Sequence, residues 1–466
     1  MRGLGLAAFA AAFAVAGPAF AANALPFDPE QATRAWLDTM GPEATARSNA
    51  YFEGGYIIDF ASTAVSIVVA GLILLLGWAR GVRSWLEKTV KWFPLVALGV
   101  GFFVNLVSSV LTFPLAYYVG FVRERRYELL TQTFPEWFAE QMIGLAIGLV
   151  VGSIFIAIIY IIIRAARNTW WVWGSAVTVA FAALMGMVFP VYVAPLFNTY
   201  TPMEQSELRD DIIAMAQANG VPATDVMVYD RSRQTNSISA NVSGLGPTTR
   251  ISLADTLLDR TSPEAVRHVM GHEIGHYVLG HVYSGLIMNT LLILFSFAAV
   301  HFGFRAIAKN ERWGIRDISD PAGLPLIMIL LSVVGLITSP LQRNLTRFNE
   351  QQADMFALNA ARAPDGAAEA AILLSEYRKM EPSPIEEWVF YTHPSGWNRV
   401  HNAMVWKAHE IAAGRLPNTP GGPPPGWVPD FVRARQAAAP DATPQPQPQT
   451  ETPATTTELS PGAPSN

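Results

Sequence analysis

Residues 269–276 read Val-Met-Gly-His-Glu-Ile-Gly-His, and this run decides how the rest of the chain is interpreted. It contains the pattern H-E-x-x-H, with His272 and His276 four residues apart and Glu273 beside the first histidine. On a helix, residues four apart lie on the same face, so both imidazoles can bind one zinc ion. Glu273 then lies within reach of a proton on a water that the zinc activates. The alternative interpretation is a surface helix with two solvated histidines.

The residues around this pattern are typical of a helix. Residues 261–264, Thr-Ser-Pro-Glu, form a capping-box start with proline in the first turn, and apolar residues follow at helical spacing. Gly271 and Gly275 each cost about 1 kcal/mol of helix propensity relative to alanine. We hypothesise that their small size lets something pack close to the metal. A plain helix–helix contact explains them equally well.

The composition is that of a membrane protein. Of the 466 residues, 51% are hydrophobic and only 15% are charged, and the mean hydropathy is +0.26. The net charge of −5 gives no indication of a nucleic-acid partner. The chain has no cysteine, which excludes disulfides and a cysteine zinc site. A metal must therefore be held by histidine and carboxylate, as in catalytic zinc sites.

Long apolar stretches predict the membrane helices. Six of them approach the ~20 residues that cross a bilayer as a helix. They lie at residues 57–78, 95–118, 142–163, 171–193, 286–304 and 324–339, the last ending at Pro340.

Hydropathy and composition divide the chain into seven segments. Residues 1–22 are interpreted as a cleavable signal peptide, with a retained first transmembrane helix as the alternative. The other segments are an extramembrane lead-in (23–56), N-terminal transmembrane helices (57–194), a polar insertion with the metal helix (195–283), a transmembrane hairpin (284–341), a C-terminal helical part (342–417) and a disordered Pro-rich tail (418–466).

The polar insertion is predicted to contain a helix over residues 204–219 and short strands at 225–229, 237–242 and 250–253. A strand beside a metal cleft can bind a substrate backbone by adding it to the sheet. Alternatively, the strands form only a small stabilising hairpin.

The charges of the loops predict the orientation in the membrane. Basic residues concentrate in alternate short loops, which the positive-inside rule assigns to the cytoplasm. The metal helix then lies on the outer side, in agreement with a signal peptide. The basic loop residues are Arg80, Arg83, Lys88, Lys91, Arg164, Arg167, Arg305, Lys309, Arg312 and Arg316, whereas the opposite loops carry mainly Arg123, Arg125 and Arg126.

A third metal ligand is expected beyond the last apolar stretch. H-E-x-x-H proteins of the gluzincin type take it from a glutamate on a later helix, and Glu350 is the best-placed candidate. Asp354 lies four residues further, on the same helical face, where it could accept the spare N–H of a ligand histidine. A solvated acidic face is the alternative for both residues.

Together these features resemble the type I CAAX prenyl proteases, the STE24 family of integral-membrane zinc endopeptidases. The resemblance covers approximately residues 30–410. It rests on residues 194–202, on 234–237 with Ser237 in place of the usual alanine, on the metal motif 271–276, on 346–354 with threonine in place of serine, and on His393-Pro394-Ser395 with Arg399.

The resemblance implies a mainly α, polytopic membrane protein. A ring of long transmembrane helices would surround a water-filled chamber, joined to a gluzincin-type zinc peptidase domain with a small β-hairpin or sheet. It further implies that His272, His276 and Glu350 bind one Zn²⁺ per chain, that Glu273 is the catalytic base and that Asp354 supports a ligand. His393 and Arg399 would hold substrate or the developing oxyanion. Asn236 would contact the substrate backbone.

The predicted function is a membrane-embedded zinc metalloendopeptidase of the bacterial inner membrane, with membrane-associated peptides or proteins as substrates. Two tensions accompany the resemblance. Eukaryotic relatives place the metal side in the cytosol, whereas loop charge here favours the periplasmic side. Those relatives also have seven membrane helices, whereas this chain has six predicted spans and, in addition, the apolar N-terminal stretch.

The sequence leaves two alternative functions to consider. A non-catalytic, zinc-containing membrane chamber or chaperone is the main alternative, although a purely structural site needs no base at Glu273. A transporter should carry buried ionisable residues along a path through its membrane helices. Asp59 near a predicted helix end is the main such residue, and it is most simply interfacial.

Overall fold

The computed structural model describes residues 25–243, 249–308 and 313–438. The predicted signal peptide lies outside the described residues. Within these ranges the chain forms sixteen α-helices and four strands. The helices are α1 (Pro29–Asp38), α2 (Gly41–Leu75), α3 (Trp78–Thr89), α4 (Phe93–Tyr117), α5 (Glu124–Arg126), α6 (Phe134–Ala165), α7 (Trp170–Val188), α8 (Glu207–Ala218), α9 (Asp255–Arg260), α10 (Pro263–Val278), α11 (His281–Ile307), α12 (Leu324–Ala361), α13 (Pro364–Leu374), α14 (Pro384–Phe390), α15 (Gly396–Ala412) and α16 (Asp430–Ala438).

Six helices in the described part are long and apolar enough to cross a membrane, one for each predicted stretch. Most extend well past the apolar residues, because amphipathic turns continue the helix into the polar part of the protein. Their bounds, including short 3-10 or π-helical turns at some ends, are Gly41–Leu75, Phe93–Arg126, Phe134–Ala165, Trp170–Leu196, His281–Ile307 and Pro321–Ala361.

The sequence suggested that the last apolar stretch ends at Pro340, but helix α12 continues beyond this residue. Proline lacks an N–H and would leave the carbonyl of Leu336 without its helical donor. The hydroxyl of Ser339 donates to that carbonyl instead, at 3.0 Å. The helix therefore runs through the proline to Ala361 and carries the residues that the sequence placed after the last span.

A four-stranded mixed sheet packs beside α10. Its order is β1-β2-β4-β3, with β2 and β4 parallel and the other two pairs antiparallel. The strands are β1 (Tyr200–Pro202), β2 (Val226–Tyr229), β3 (Ala240–Ser243) and β4 (Arg250–Ala254). Strand β1 was not predicted, and β3 forms one edge of the sheet.

Two hydrophobic cores hold the molecule together. One lies among the membrane helices around Ile73, Val100 and Ile163. The other lies between α10, the sheet, α13 and α15, around Met270, Ile274 and Ile372. The predicted fold class, a polytopic helical membrane protein joined to a domain with a small sheet, is confirmed.

Helix α10 packs directly against α12 through its two glycines. A Cβ on Gly271 would lie 3.3 Å from the Cα of Ala357, and one on Gly275 would lie 3.0 Å from the Phe356 ring. The second interpretation of the glycines is therefore correct: they permit a close helix–helix contact. That contact brings the metal motif against the helix carrying Glu350.

The start of α10 differs in detail from the predicted capping box. Ser262 caps the helix by accepting from the N–H of Ala265 at 3.2 Å. The carboxylate that completes the cap comes from Glu369 on α13, which accepts from the Ser262 N–H at 2.8 Å and its hydroxyl at 2.5 Å. The carboxylate is thus supplied by a neighbouring helix, which ties α13 to the first turn of α10.

The prediction of a disordered tail from residue 418 was wrong for residues up to 438. Trp427 packs edge-on against Trp36 of α1 with ring centroids 5.0 Å apart. Phe431 and Val432 of α16 are buried in the second core. These few apolar side chains anchor a segment whose overall composition is that of a loop. Residues 439–466 lie outside the described part.

We expect Gly271→Val to destabilise the protein, because the added side chain would collide with the backbone of α12. Overpacking of this kind costs about 1–3 kcal/mol. The thermal unfolding midpoint in detergent measures the effect. Gly148→Val is the matched control, since Gly148 on α6 has nothing within 4 Å of its missing Cβ. Equal midpoints for the two variants would contradict the tight contact.

Candidate metal centre

Three potential ligand atoms converge where α10 meets α12. The Nε2 atoms of His272 and His276 lie 3.0 Å apart. Oε2 of Glu350 lies 3.0 Å from the first and 3.5 Å from the second. The spacing of four within α10 sets the histidine pair, and the contact between the two helices supplies the carboxylate. The structure thus brings together the three residues that the resemblance implies as ligands.

The arrangement fits a zinc ion. Tetrahedral zinc holds nitrogen and oxygen ligands at about 2.0–2.2 Å, which places neighbouring ligand atoms about 3.3–3.6 Å from one another. The three observed separations lie close to that range. Two imidazoles and one carboxylate, with no thiolate, are also the donors typical of catalytic zinc sites, which leave a fourth position for water or substrate.

An ionic chain fixes the orientation of His272. Its Nδ1 lies 2.8 Å from Oδ1 of Asp354. Arg399 in turn donates two hydrogen bonds to Asp354, at 2.9 and 2.7 Å. Asp354 thus lies where the sequence analysis expected it, within hydrogen-bond distance of the ring nitrogen of His272 that faces away from the metal position. Arg399, predicted to hold substrate or the oxyanion, lines the cleft, and its two bonds to Asp354 also position that carboxylate.

His276 is oriented by a residue that the sequence analysis missed. Its Nδ1 lies 2.8 Å from Nδ1 of His281, and Nε2 of His281 lies 3.1 Å from the side-chain oxygen of Gln352. Helix α10 ends at Val278, and Gly280 turns the chain with a φ of 68°. The signal was available: a histidine five residues after the motif, just past a glycine.

Glu273 lies beside the ligands in a cleft of about 200 Å³. Burial raises the pKa of its carboxyl above the ordinary value. Residues 238–240, which lead into the edge strand β3, line the same cleft. A carboxylate with raised proton affinity, next to the metal ligands and a strand edge, is suited to exchange protons with a water or a leaving group.

His393 also reaches the centre. Its Nε2 lies 3.2 Å from Oε2 of Glu350, and the side chain lines the cleft. Burial, together with the positive charge of Arg378, lowers the pKa of His393 to about 3. The imidazole is therefore neutral at physiological pH.

The side chain of Asn236, predicted to contact the substrate backbone, does not line the cleft. Its side-chain amide donates to the backbone carbonyl of Glu128 at 2.8 Å, outside the cleft. The residues of this segment that line the cleft are Ile238, Ser239 and Ala240. Arg378 lines it as well and was not foreseen, because a single arginine in a helical region carries no distinctive pattern.

Two sequence families match most of the chain. Residues 30–199 match a family described as CAAX prenyl protease N-terminal, five membrane helices, and residues 202–407 match peptidase family M48. The chain is thus a membrane-embedded metalloendopeptidase. It belongs to the STE24-like CAAX prenyl protease group of family M48. This assignment disfavours a non-catalytic chamber.

Relatives span a wide evolutionary range. An uncharacterized metalloprotease, YhfN, of Bacillus subtilis is 26% identical over 78% of this chain and 86% of that protein. CAAX prenyl protease 1 of Saccharomyces cerevisiae is 26% identical over 63% of this chain and 69% of its own length. The crystal structure of S. mikatae Ste24p shares the fold, with a TM-score of 0.66 at 21% identity, covering 81% of this chain and 95% of the other.

We expect His281→Ala to lower metal affinity about 10–100-fold, the usual effect of removing a group that orients a ligand histidine. Chelator competition on the purified protein measures the affinity. His281→Gln retains hydrogen-bonding capacity and should lose less. Unchanged affinity in the alanine variant would show that His281 does not support His276.

Proposed function

We propose that this protein is a zinc-dependent endopeptidase that hydrolyses peptide bonds of membrane-associated peptides or proteins. One Zn²⁺ per chain would be held by His272, His276 and Glu350. The observation that carries the proposal is the convergence of these three ligand atoms beside Glu273 in a cleft bordered by a strand edge. The family comparisons support the same class of reaction.

When bound, zinc supplies a Lewis acid and lowers the pKa of a coordinated water toward ~7. Glu273 accepts the proton of the attacking water at its carboxylate and then delivers it to the leaving amine nitrogen. Asp354 and Arg399 keep the His272 ring in one orientation throughout.

His393 is the candidate donor to the oxyanion. Nδ1 of the ring lies 3.0 Å from the hydroxyl of Thr392, which can donate to it and leave the proton on Nε2. This Nε2 lies 3.2 Å from Oε2 of Glu350, and with substrate in the cleft the same N–H would donate to an oxygen that gains negative charge in the transition state. Loss of one such donor typically costs about 10²–10³ in rate.

The substrate backbone is expected to add to the free edge of β3. Ile238 and Ser239, just before this strand, and Ala240, its first residue, line the cleft, so an extended peptide paired there would pass the metal ligands. Asn236 would fix the segment through its bond to Glu128. The predicted direct contact of Asn236 with substrate would require that bond to open.

We further propose that the metal centre faces the periplasmic side of a bacterial inner membrane. The basic loops meet at the end of the helices opposite the centre. There Arg83 pairs with Asp320, and Arg167 lies 3.2 Å from Asp317. An excess of Lys and Arg in these loops marks the cytoplasmic end by the positive-inside rule.

Replacing Glu273 by glutamine should lower kcat by about 10²–10⁴, the usual contribution of a general base, while zinc binding is retained. Peptide hydrolysis and metal content are measured on the same preparation. Glu264→Gln, in the exposed first turn of the same helix, is the control and should keep full activity. A Glu273→Gln enzyme as fast as the parent would refute the assignment of the base.

The proposed orientation predicts that Thr224→Cys reacts with a membrane-impermeant thiol reagent in intact cells. Thr224 is exposed on the metal side, and the chain has no natural cysteine to interfere. Trp85→Cys, exposed among the basic loops, should react only after lysis. The reverse pattern would place the metal centre in the cytoplasm.

A further inference from the structure

Arg378 lies where two cavities meet beside the metal centre. It lines the cleft that contains Glu273 and His393. It also lines a second cavity of about 360 Å³, between α2 and the chain around residues 390–394. The two cavities share four lining residues, Leu374, Arg378, His393 and Arg399. A substrate in the cleft can therefore extend into the second cavity past the Arg378 guanidinium.

The second cavity has aromatic walls and cationic groups. Its aromatic lining residues are Tyr51, Phe52, Tyr56, Tyr377, Phe390 and Tyr391. Aromatic faces of this kind accept apolar side chains. One carboxylate, Asp59, also lines the cavity, and Arg343 of α12 pairs with it at 2.6 Å. The open part of the cavity is thus apolar and positively charged.

Arg378 differs from the other cations that line the two cavities. Each of those is paired with at least one carboxylate: Arg123 with Glu124 at 3.4 Å, Lys379 with Glu53 at 2.7 Å and Glu386 at 2.8 Å, and Arg399 with Asp354 at 2.7 Å. Among the described residues, the guanidinium of Arg378 has no ion pair or hydrogen bond.

An unpaired, partly buried cation is energetically unfavourable unless a ligand supplies an opposite charge and hydrogen-bond acceptors. Burial and the repulsion of Arg399 lower the pKa of Arg378, but an arginine side chain remains protonated in proteins. Its planar guanidinium matches a carboxylate through two parallel hydrogen bonds. The missing partner is therefore expected to be an anion, and a carboxylate fits best.

We propose that Arg378 binds a carboxylate of the peptide substrate and that the aromatic cavity holds the apolar residue beside it. This assignment rests on the proposed peptidase function and adds a specificity determinant to it. The carboxylate can come from the substrate's C-terminus or from an aspartate or glutamate side chain. Both sources offer the same two oxygens to the guanidinium.

The test uses zinc-loaded, full-length protein in detergent and a library of synthetic peptides in three matched forms. One form has a free C-terminus, one has a C-terminal amide, and one has a C-terminal amide with a glutamate at successive positions. Mass spectrometry gives the cleavage sites, and kcat/KM is measured for the best sequences. Faster cleavage of the free C-terminus than of the amide identifies the terminal carboxylate as the partner. Faster cleavage of the glutamate-containing amide identifies a side-chain carboxylate.

The parent enzyme should cleave one carboxylate-bearing form at least tenfold better than the neutral form. Arg378→Gln should remove most of this preference, with a much smaller effect on the neutral peptide. Arg378→Lys keeps the charge but not the paired hydrogen bonds, so it should retain part of the preference. Lys88→Gln removes an exposed positive charge that lines neither cavity and should leave the preference intact.

Equal cleavage of all three forms by the parent enzyme would overturn the assignment while leaving the peptidase function standing. An Arg378→Gln variant that slows every form equally would make Arg378 a general structural or transition-state group, which also overturns it. The same loss of preference in Lys88→Gln would show that only overall charge matters. Absence of any Glu273-dependent cleavage would overturn the proposed function itself.

Discussion

The close contact between α10 and α12 is the constraint on which the rest of the structure depends. Glycines at 271 and 275 face Ala357 and Phe356, so the two helix backbones approach with little between them. The histidines project from one helix and Glu350 from the other. A separation larger by one methyl group would move the carboxylate away from the imidazoles, and packed helices cannot absorb such a change without repacking.

Around that contact, the protein supports each imidazole from behind by different means. His272 is backed by a carboxylate that a buried arginine holds, whereas His276 is backed by a neutral pair, His281 and Gln352. The ionic support makes His272 electron-rich, and the neutral support adds no further negative charge. Asp354 is bound to His272 and Arg399, whereas the carboxylate of Glu273 has no hydrogen-bond partner among the described residues.

The sequence predicted what local spacing and hydropathy determine. Each of these features can be recognised from the residues of a single helix: the six spans from their length and hydropathy, the metal helix from its motif, and the shared face of Glu350 and Asp354 from their spacing. The partners of those residues do not. Arg399 meets Asp354, and His281 meets His276, through the packing of separate helices and a turn at Gly280. The helix α16 was missed because two buried apolar residues decide its position, while composition averages them with many prolines and alanines.

The groups of the centre are spread along the chain on both sides of the last two membrane helices. His272 and His276 precede α11, whereas Glu350, His393 and Arg399 lie at or beyond the polar end of α12. A growing polypeptide therefore has the two imidazoles and Glu273, but lacks Glu350, until α12 has been synthesised. The order of the chain thus makes assembly of the candidate ligand set one of the last events in the synthesis of the membrane part.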